Sequence, residues 1–373
     1  MKQSWRLALG VVLLAGFTGF ALMGQNAQPA AGAKAAPKEA AKQTAKAAAK
    51  PAFQSSGEFF KNVTTGPLKG LSVDDFLGTM GVLTDDLGLD CSNCHPGAGG
   101  DNADFVIDTP IKKTARRMIE MVGDINRRNF AGAQAVTCWT CHHGRIKPST
   151  TIALETVYDT PNKENDDLIL NDRSAPPATQ VLDKFITALG GQQKLDAIKS
   201  FVATGDSIGF AGLGGKAEFT IFANAPNQRV VRIRYPQTTR DASMWGFNGT
   251  TGWVDTPRAL VGSYEIFGGE RDGARLEAQL AFPSNIKNVL TSWRSGGLQS
   301  LGDKDYQVLQ GSGPRGLMAT LYFDVETGLL ARLVRYAPSP IGRMPTQIDY
   351  SDYRDVNGVK FPFTYTFLWL DGR

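Results

Sequence analysis

Cys91-Ser92-Asn93-Cys94-His95 and Cys138-Trp139-Thr140-Cys141-His142 are the two stretches on which the reading of this chain turns. Each has the order of a covalent attachment site for a c-type haem. Two thiols separated by two residues add to the two vinyl groups of one porphyrin, and the imidazole that follows binds the iron from the proximal side. Together the stretches use all four cysteines and two of the three histidines of the chain. A four-thiolate zinc site, or two thiol/disulfide redox pairs, would use the same cysteines. Neither accounts for a histidine after the second cysteine in both copies. The sequence therefore predicts two covalent haems, the first on Cys91 and Cys94 with His95, the second on Cys138 and Cys141 with His142.

Upstream of each motif the hydrophobic period is that of a helix. Ser72 and Asp75 start one that runs to about Leu87, with Phe76, Met80, Leu83 and Leu87 on one face. Met80 on that face is either a sixth iron ligand for the first haem or core packing, since methionine fills gaps well. Thr109 and Pro110 start a second helix, from Ile111 to about Phe130, with Ile111, Ala115, Met118, Met121, Val122 and Ile125 as its apolar stripe. Met118 and Met121 are one turn apart, so periodicity does not choose between them.

At the N-terminus, Lys2 and Arg6 precede an apolar run from Leu7 to Met23. Residues 1–24 read as an export signal or, alternatively, as a single-span anchor at the short end of what crosses a bilayer. Residues 25–52 are mostly Ala, Lys and Pro and read as a spacer. The first 50 residues carry a formal charge of +6 out of the chain's +4, which leaves the remainder at −2. That distribution argues against nucleic acid as a partner. The motif-bearing domain spans 53–150 and is mainly α. A polar, proline-bearing segment, 151–177, links it to a last domain, 178–373, either as a tether or as a strap on the haem domain.

The run Ala115-Arg-Arg-Met-Ile-Glu-Met-Val-Gly-Asp-Ile-Asn126, the segment Val136-Thr-Cys-Trp-Thr-Cys-His142 and the repeated pairing of a Met-bearing helix with a Cys-x-x-Cys-His resemble the cytochrome c subunit of photosynthetic reaction centres. The resemblance covers about residues 53–150. It implies electron transfer, with Met80 as sixth ligand of the first haem and Met118, directly after the paired arginines, as that of the second. Met121 is the alternative to Met118. The chain departs from the family in having two motifs where the full subunit has four, and in carrying His143 where an arginine is usual. His/Met ligation raises the reduction potential, and a six-coordinate iron leaves no open position, which favours outer-sphere electron transfer over oxygen or peroxide chemistry.

The last domain opens with a helix whose Val181, Leu182, Phe185, Ile186 and Leu189 share a face, ended by Gly190-Gly191. The period then changes to two. Ten candidate strands run from Phe201–Ile208 to Lys360–Trp369, with hairpin signals at Asn248-Gly249 and Asn357-Gly358. Helices are expected at Gly273–Phe282 and Ser284–Leu290. The expected architecture is α+β, a large antiparallel half-barrel sheet with covering helices. Leu182-Asp-Lys-Phe-Ile-Thr-Ala-Leu-Gly-Gly191, Phe247-Asn-Gly-Thr-Thr-Gly-Trp253 and Tyr353-Arg-Asp-Val-Asn-Gly-Val-Lys-Phe-Pro362 resemble the lipoprotein-carrier-like half-barrel superfamily, which implies an apolar concavity. Trp245, Phe247, Trp253, Phe282 and Phe323 are core, or line a pocket for a lipid or quinone.

The expected function is thus an extracytoplasmic dihaem electron carrier, non-catalytic, acting with redox partner proteins or a membrane-bound electron-transfer complex. Two alternatives compete with it. One is a peroxidase-like dihaem enzyme with a displaceable distal ligand. The other is a lipid or lipoprotein carrier whose haems sense redox state.

Overall fold

The computed structural model describes residues 54–100, 102–148, 150–151, 169–209, 216–236, 242–256 and 261–370. The export segment, the Ala/Lys/Pro spacer and most of the 151–177 linker lie outside the described residues. No described helix is long and apolar enough to cross a membrane.

The motif-bearing part contains α1 (Ser56–Phe59), α2 (Gly66–Lys69), α3 (Val73–Leu87), α4 (Cys91–Cys94), α5 (Pro110–Asn129) and α6 (Cys138–His142). At the start of α3 the Ser72 hydroxyl accepts from Asp75 N–H at 3.0 Å, satisfying one of the helix's free donors. The helix stops at Gly88, at φ 62°, where the Gly144 carbonyl approaches so closely that no Cβ fits. Thr109 caps α5 by accepting from Lys112 N–H at 3.3 Å, with Pro110 in the first turn. The buried face of α5 is Ile119, Val122 and Asn126, so the helix is rotated relative to the apolar stripe expected from periodicity. Asn126 is polar and so invisible to a hydrophobic pattern. It is buried because its amide closes three hydrogen bonds to the segment that leads into the second motif.

Among the described residues twelve strands follow in two six-stranded sheets, each a simple antiparallel meander. Sheet one holds β1 (Ser200–Ile208), β2 (Lys216–Asn224), β3 (Gln228–Arg234), β4 (Ser243–Phe247), β5 (Gly252–Asp255) and β6 (Ser263–Ile266). Sheet two holds β7 (Thr291–Leu301), β8 (Lys304–Ser312), β9 (Met318–Asp324), β10 (Leu330–Pro338), β11 (Arg343–Val356) and β12 (Val359–Leu368). The expected α+β body is therefore present, with its strands divided between two sheets. The ten expected strands are all there; β6 and β7 are the additions. β7 is an edge strand with Gly296-Gly297 in its middle and irregular pairing to β8, which erases the period-two signal. The expected helices appear as Gly268–Leu280 and a 3-10 segment, Pro283–Asn288. Asn357 and Gly358 both take positive φ (55° and 79°), which is the tight β11–β12 turn that Asn-Gly favours.

The Ala178–Leu189 helix buries all five residues of its expected face. They pack on Leu309, Leu321, Phe323 and Leu333 of sheet two. The other face of that sheet carries Val308, Tyr322 and Val334, covered by Ile169. The end of the linker is thus a strap on sheet two. Asn171 Oδ1 accepts from Ser295 N–H at 3.0 Å, and the Ser295 hydroxyl donates to the Pro176 carbonyl at 2.7 Å.

The motif-bearing part docks on the β10–β11 connection. Val82, Ile119 and Cys138 bury together with Ala337, Ile341 and Met344. Cys138 N–H donates to the Ile341 carbonyl at 3.3 Å and Gln134 Nε2 to the Ser339 carbonyl at 2.7 Å. Gly78 lies directly under the Met344 thioether, which would have to move to admit a side chain there. Residues from Gln54 onward consequently form one compact unit.

Candidate haem sites and a buried charged cavity

Both Cys-x-x-Cys-His motifs fold as single helical turns under the same kind of cap. Asp90 accepts from Ser92 and Asn93 N–H at 2.8 and 3.1 Å, and Asn93 Oδ1 accepts from Asp90 N–H at 2.8 Å. Thr137 and Thr140 exchange the equivalent pair, at 3.4 and 3.0 Å. One turn brings residues three apart to the same side, so each pair of thiols faces one partner. All four cysteines are free, with Cys91 and Cys141 exposed, Cys94 half-buried and Cys138 buried. Burial pushes the Cys138 thiol up to about 11. Among the described residues no group of three or more His, Cys, Asp and Glu side chains converges as a metal site would require. A shared four-thiolate zinc site therefore has no counterpart, whereas two thiols and one imidazole per motif fit a c-type haem.

The two histidines differ. His142 Nδ1 lies 2.9 Å from the Arg145 carbonyl; with Nδ1–H as the donor, Nε2 keeps its lone pair for a metal. His95 Nδ1 is buried without a partner, its ring 5.0 Å from that of Phe105. Burial, helped by the Lys112 ammonium, lowers the His95 pKa and favours the neutral imidazole that metals bind. His143 follows in the left-handed conformation, at φ 47°, with its ring 5.5 Å from Trp139.

Of the three methionines, Met80 is half-buried and packs against the cluster that contains Cys138. Met118 is half-buried on α5, and Met121 is 43 % exposed on the side away from Ile119 and Val122. The packing is crosswise: α6 lies on α3, where Gly144 N–H donates to the Asp86 carbonyl at 3.0 Å, while α4 lies on α5, where Thr109 donates to the Cys94 carbonyl at 3.2 Å. Asn126 holds the approach to the second motif, donating to the Val136 carbonyl at 2.7 Å and accepting from Ala135 and Val136 N–H at 3.1 and 2.9 Å. Sequence reasoning passed over it, although an Asn in line with the apolar positions Ile119 and Val122 was the available signal.

A second candidate site lies in the two-sheet body. A cavity of about 80 Å³ is enclosed by β1–β3, β10–β12 and the helices over them, with Phe185, Phe201, Phe282 and Phe361 in its wall. Of the five aromatics marked in the sequence only Phe282 lines it; Phe323 meets Phe185 edge to face in the core, 5.2 Å away. At its polar end Arg229 meets Glu277 at 3.4 Å, both nearly buried. Glu277 also pairs with Arg335 at 3.4 Å, and Arg335 grips Glu270 with two bonds of 3.2 and 2.9 Å. Gly273 makes this possible, because the Arg335 guanidinium occupies the place its Cβ would take. Glu270 in turn faces α3. Burial, Glu270 and Asp75 together hold the Asp74 carboxyl far above its usual range, and Asp75 is raised to about 6 mainly by burial.

The fold and motifs define a c-type haem-binding part joined to a two-sheet α+β body. Residues 11–185 match the family model of the photosynthetic reaction centre cytochrome C subunit, so that part of the chain is similar to this family. The match is wider than the 53–150 expected from the motifs. It implies extracytoplasmic electron transfer through c-type haem. No curated protein matches the chain. Among solved structures the chain is similar to a LolA superfamily protein from Nitrosomonas europaea, at 16% identity and TM-score 0.34, over 52% of this chain and 86% of that one. It is also similar to a DUF1329 family protein from Desulfovibrio piger, at 11% identity and TM-score 0.30, over 52% and 87%.

Proposed function

We propose that the chain is an exported dihaem c-type cytochrome that relays electrons between redox partner proteins, including a membrane-bound electron-transfer complex, and whose two-sheet body docks or holds an apolar ligand. The observation that carries the reading is the duplicated motif geometry, in which two capped turns each present two free thiols and a following imidazole. Cys91 and Cys94 would hold the first haem and Cys138 and Cys141 the second, with His95 and His142 as proximal ligands. Each iron, when bound, supplies a reversible one-electron couple. Arg145 keeps the His142 ring oriented through its carbonyl, and Asn126 holds the segment leading into that motif.

The family resemblance pairs Met80 with the first haem and Met118 with the second. The crosswise packing of α6 on α3 and α4 on α5 favours a second reading, in which Met118 serves the first haem and Met80 the second. Met121, on the outward side of α5, is the remaining alternative to Met118. The test uses a Cys138→Ala/Cys141→Ala chain matured with one haem. Loss of the near-infrared Met–Fe(III) band on adding Met80→Leu supports the sequential pairing, and its loss on adding Met118→Leu supports the crosswise one. A colourless exported product, or zinc in place of iron by metal analysis, overturns the dihaem reading.

A further inference from the structure

We propose that the cavity of the two-sheet body takes a neutral quinone-type ring, with any alkyl chain on that ring lying outside the cavity, whose carbonyl oxygens accept from Tyr350, Tyr365 and Arg229. The proposal rests on the reading of that body as an apolar-ligand site and names the ligand's chemical class. Three features of the cavity lead to it.

The first is hydrogen-bonding capacity. Tyr350 and Tyr365 line the cavity with their rings edge to face at 5.6 Å. Neither hydroxyl has a hydrogen-bond partner among the described residues. Tyr353, which also lines the cavity, differs: its hydroxyl already donates to the Leu330 carbonyl at 2.8 Å. Burial raises the pKa of Tyr350 and Tyr365, so both stay protonated donors. Two phenol donors beside a guanidinium suit a head group rich in acceptors.

The second is charge. At the buried polar end Arg229 and Arg335 are matched by Glu277 and Glu270, and the remaining charged side chain of the lining, Lys360, is exposed to solvent. An anionic head would add an uncompensated negative charge beside Glu277. A fatty-acid carboxylate or a phosphate is therefore disfavoured, while a neutral carbonyl compound meets the same donors without that cost. The third is size and shape. About 80 Å³ is at most the room for one small ring, and the wall it meets is aromatic, with Phe201 5.6 Å from Phe282 and 5.5 Å from Phe361. A ring of this class is itself an electron carrier, which would unite the two parts of the chain in one task.

The test is equilibrium dialysis of the full-length holoprotein against a decyl-substituted benzoquinone, oleate and monoolein, each below its critical micelle concentration. The quinone is expected to bind most tightly. Tyr350→Phe/Tyr365→Phe, which keeps both rings and is checked for an unchanged circular dichroism spectrum, is expected to weaken it by about tenfold or more, as loss of two hydrogen bonds implies. Oleate or monoolein binding as tightly as the quinone, or quinone binding unaltered in the double variant, overturns the ring assignment while leaving an apolar-ligand body intact. Failure of all three probes to bind overturns both.

Discussion

In the two-sheet body, side chains from Val181 to Val359 pack into one buried cluster in which Leu309, Leu321 and Leu333 have no exposure at all. In the motif-bearing part, Val106, Ile107, Met121, Phe130, Trp139 and Ile146 stand 42–54 % exposed. Single exposed apolar residues are ordinary, but six within some forty residues around two haem motifs suit the faces of a porphyrin. One region closes its core with its own sheets. The other has capped helices yet leaves apolar side chains exposed beside its two Cys-x-x-Cys-His motifs, which on the proposed function a covalent haem would cover.

The largest expected effect breaks that comparison directly. Replacing Cys91, Cys94, Cys138 and Cys141 by alanine should abolish haem incorporation and make the motif-bearing helices sensitive to proteolysis, while the sheet signal in circular dichroism persists. Equal resistance of both parts would show that the haem region needs no guest to complete its core. Next comes the charged end of the cavity. Arg335→Leu leaves Glu270 and Glu277 short of a buried partner and should cost the body about 3–5 kcal/mol in chemical denaturation. Adding Glu270→Gln should recover part of the loss; no recovery would point to packing rather than charge.

The smallest effect lies where the two parts touch. Asp75 is raised to about 6 in the folded chain, above the ordinary value of 3.8. Between those values the folded state binds more protons than the unfolded one, so stability falls as pH rises and the penalty is complete above about pH 6. Asp74, raised for the same reason, acts in the same direction. Asp75→Asn should therefore stabilise the protein at pH 7 by roughly 1–2 kcal/mol and flatten the stability profile between pH 4 and 6. A thermal-denaturation series that keeps the same slope in the variant would remove Asp75 as its source.

Much of the architecture was legible because it rests on local rules. The caps at Ser72 and Thr109, the five-residue face of the Ala178–Leu189 helix and the Asn357-Gly358 turn follow from short-range chemistry, and each is found where it was expected. β7 was not legible, because its paired glycines break the alternation and an edge strand has only one neighbour to register against. The rotation of α5 was missed because the residue that decides it, Asn126, is held by hydrogen bonds to a segment ten residues further on. Of the aromatics marked for the pocket, Phe247 and Phe323 are buried in the core and Trp245 and Trp253 are half-buried away from the cavity, since period-two alternation gives a side chain's face but not what covers that face.

By itself the sequence determined the arrangement on which the proposed covalent chemistry rests: two pairs of thiols, each followed by an imidazole, and helices able to carry a thioether. Such chemistry needs only neighbours along the chain, within one helical turn. The tertiary structure alone decided which motif packs on which methionine helix, and that Arg229, Glu277, Tyr350 and Tyr365 meet around one cavity. Those residues come from β3, the Gly268–Leu280 helix, β11 and β12, and only the closing of two sheets over a shared core brings them within reach of one another.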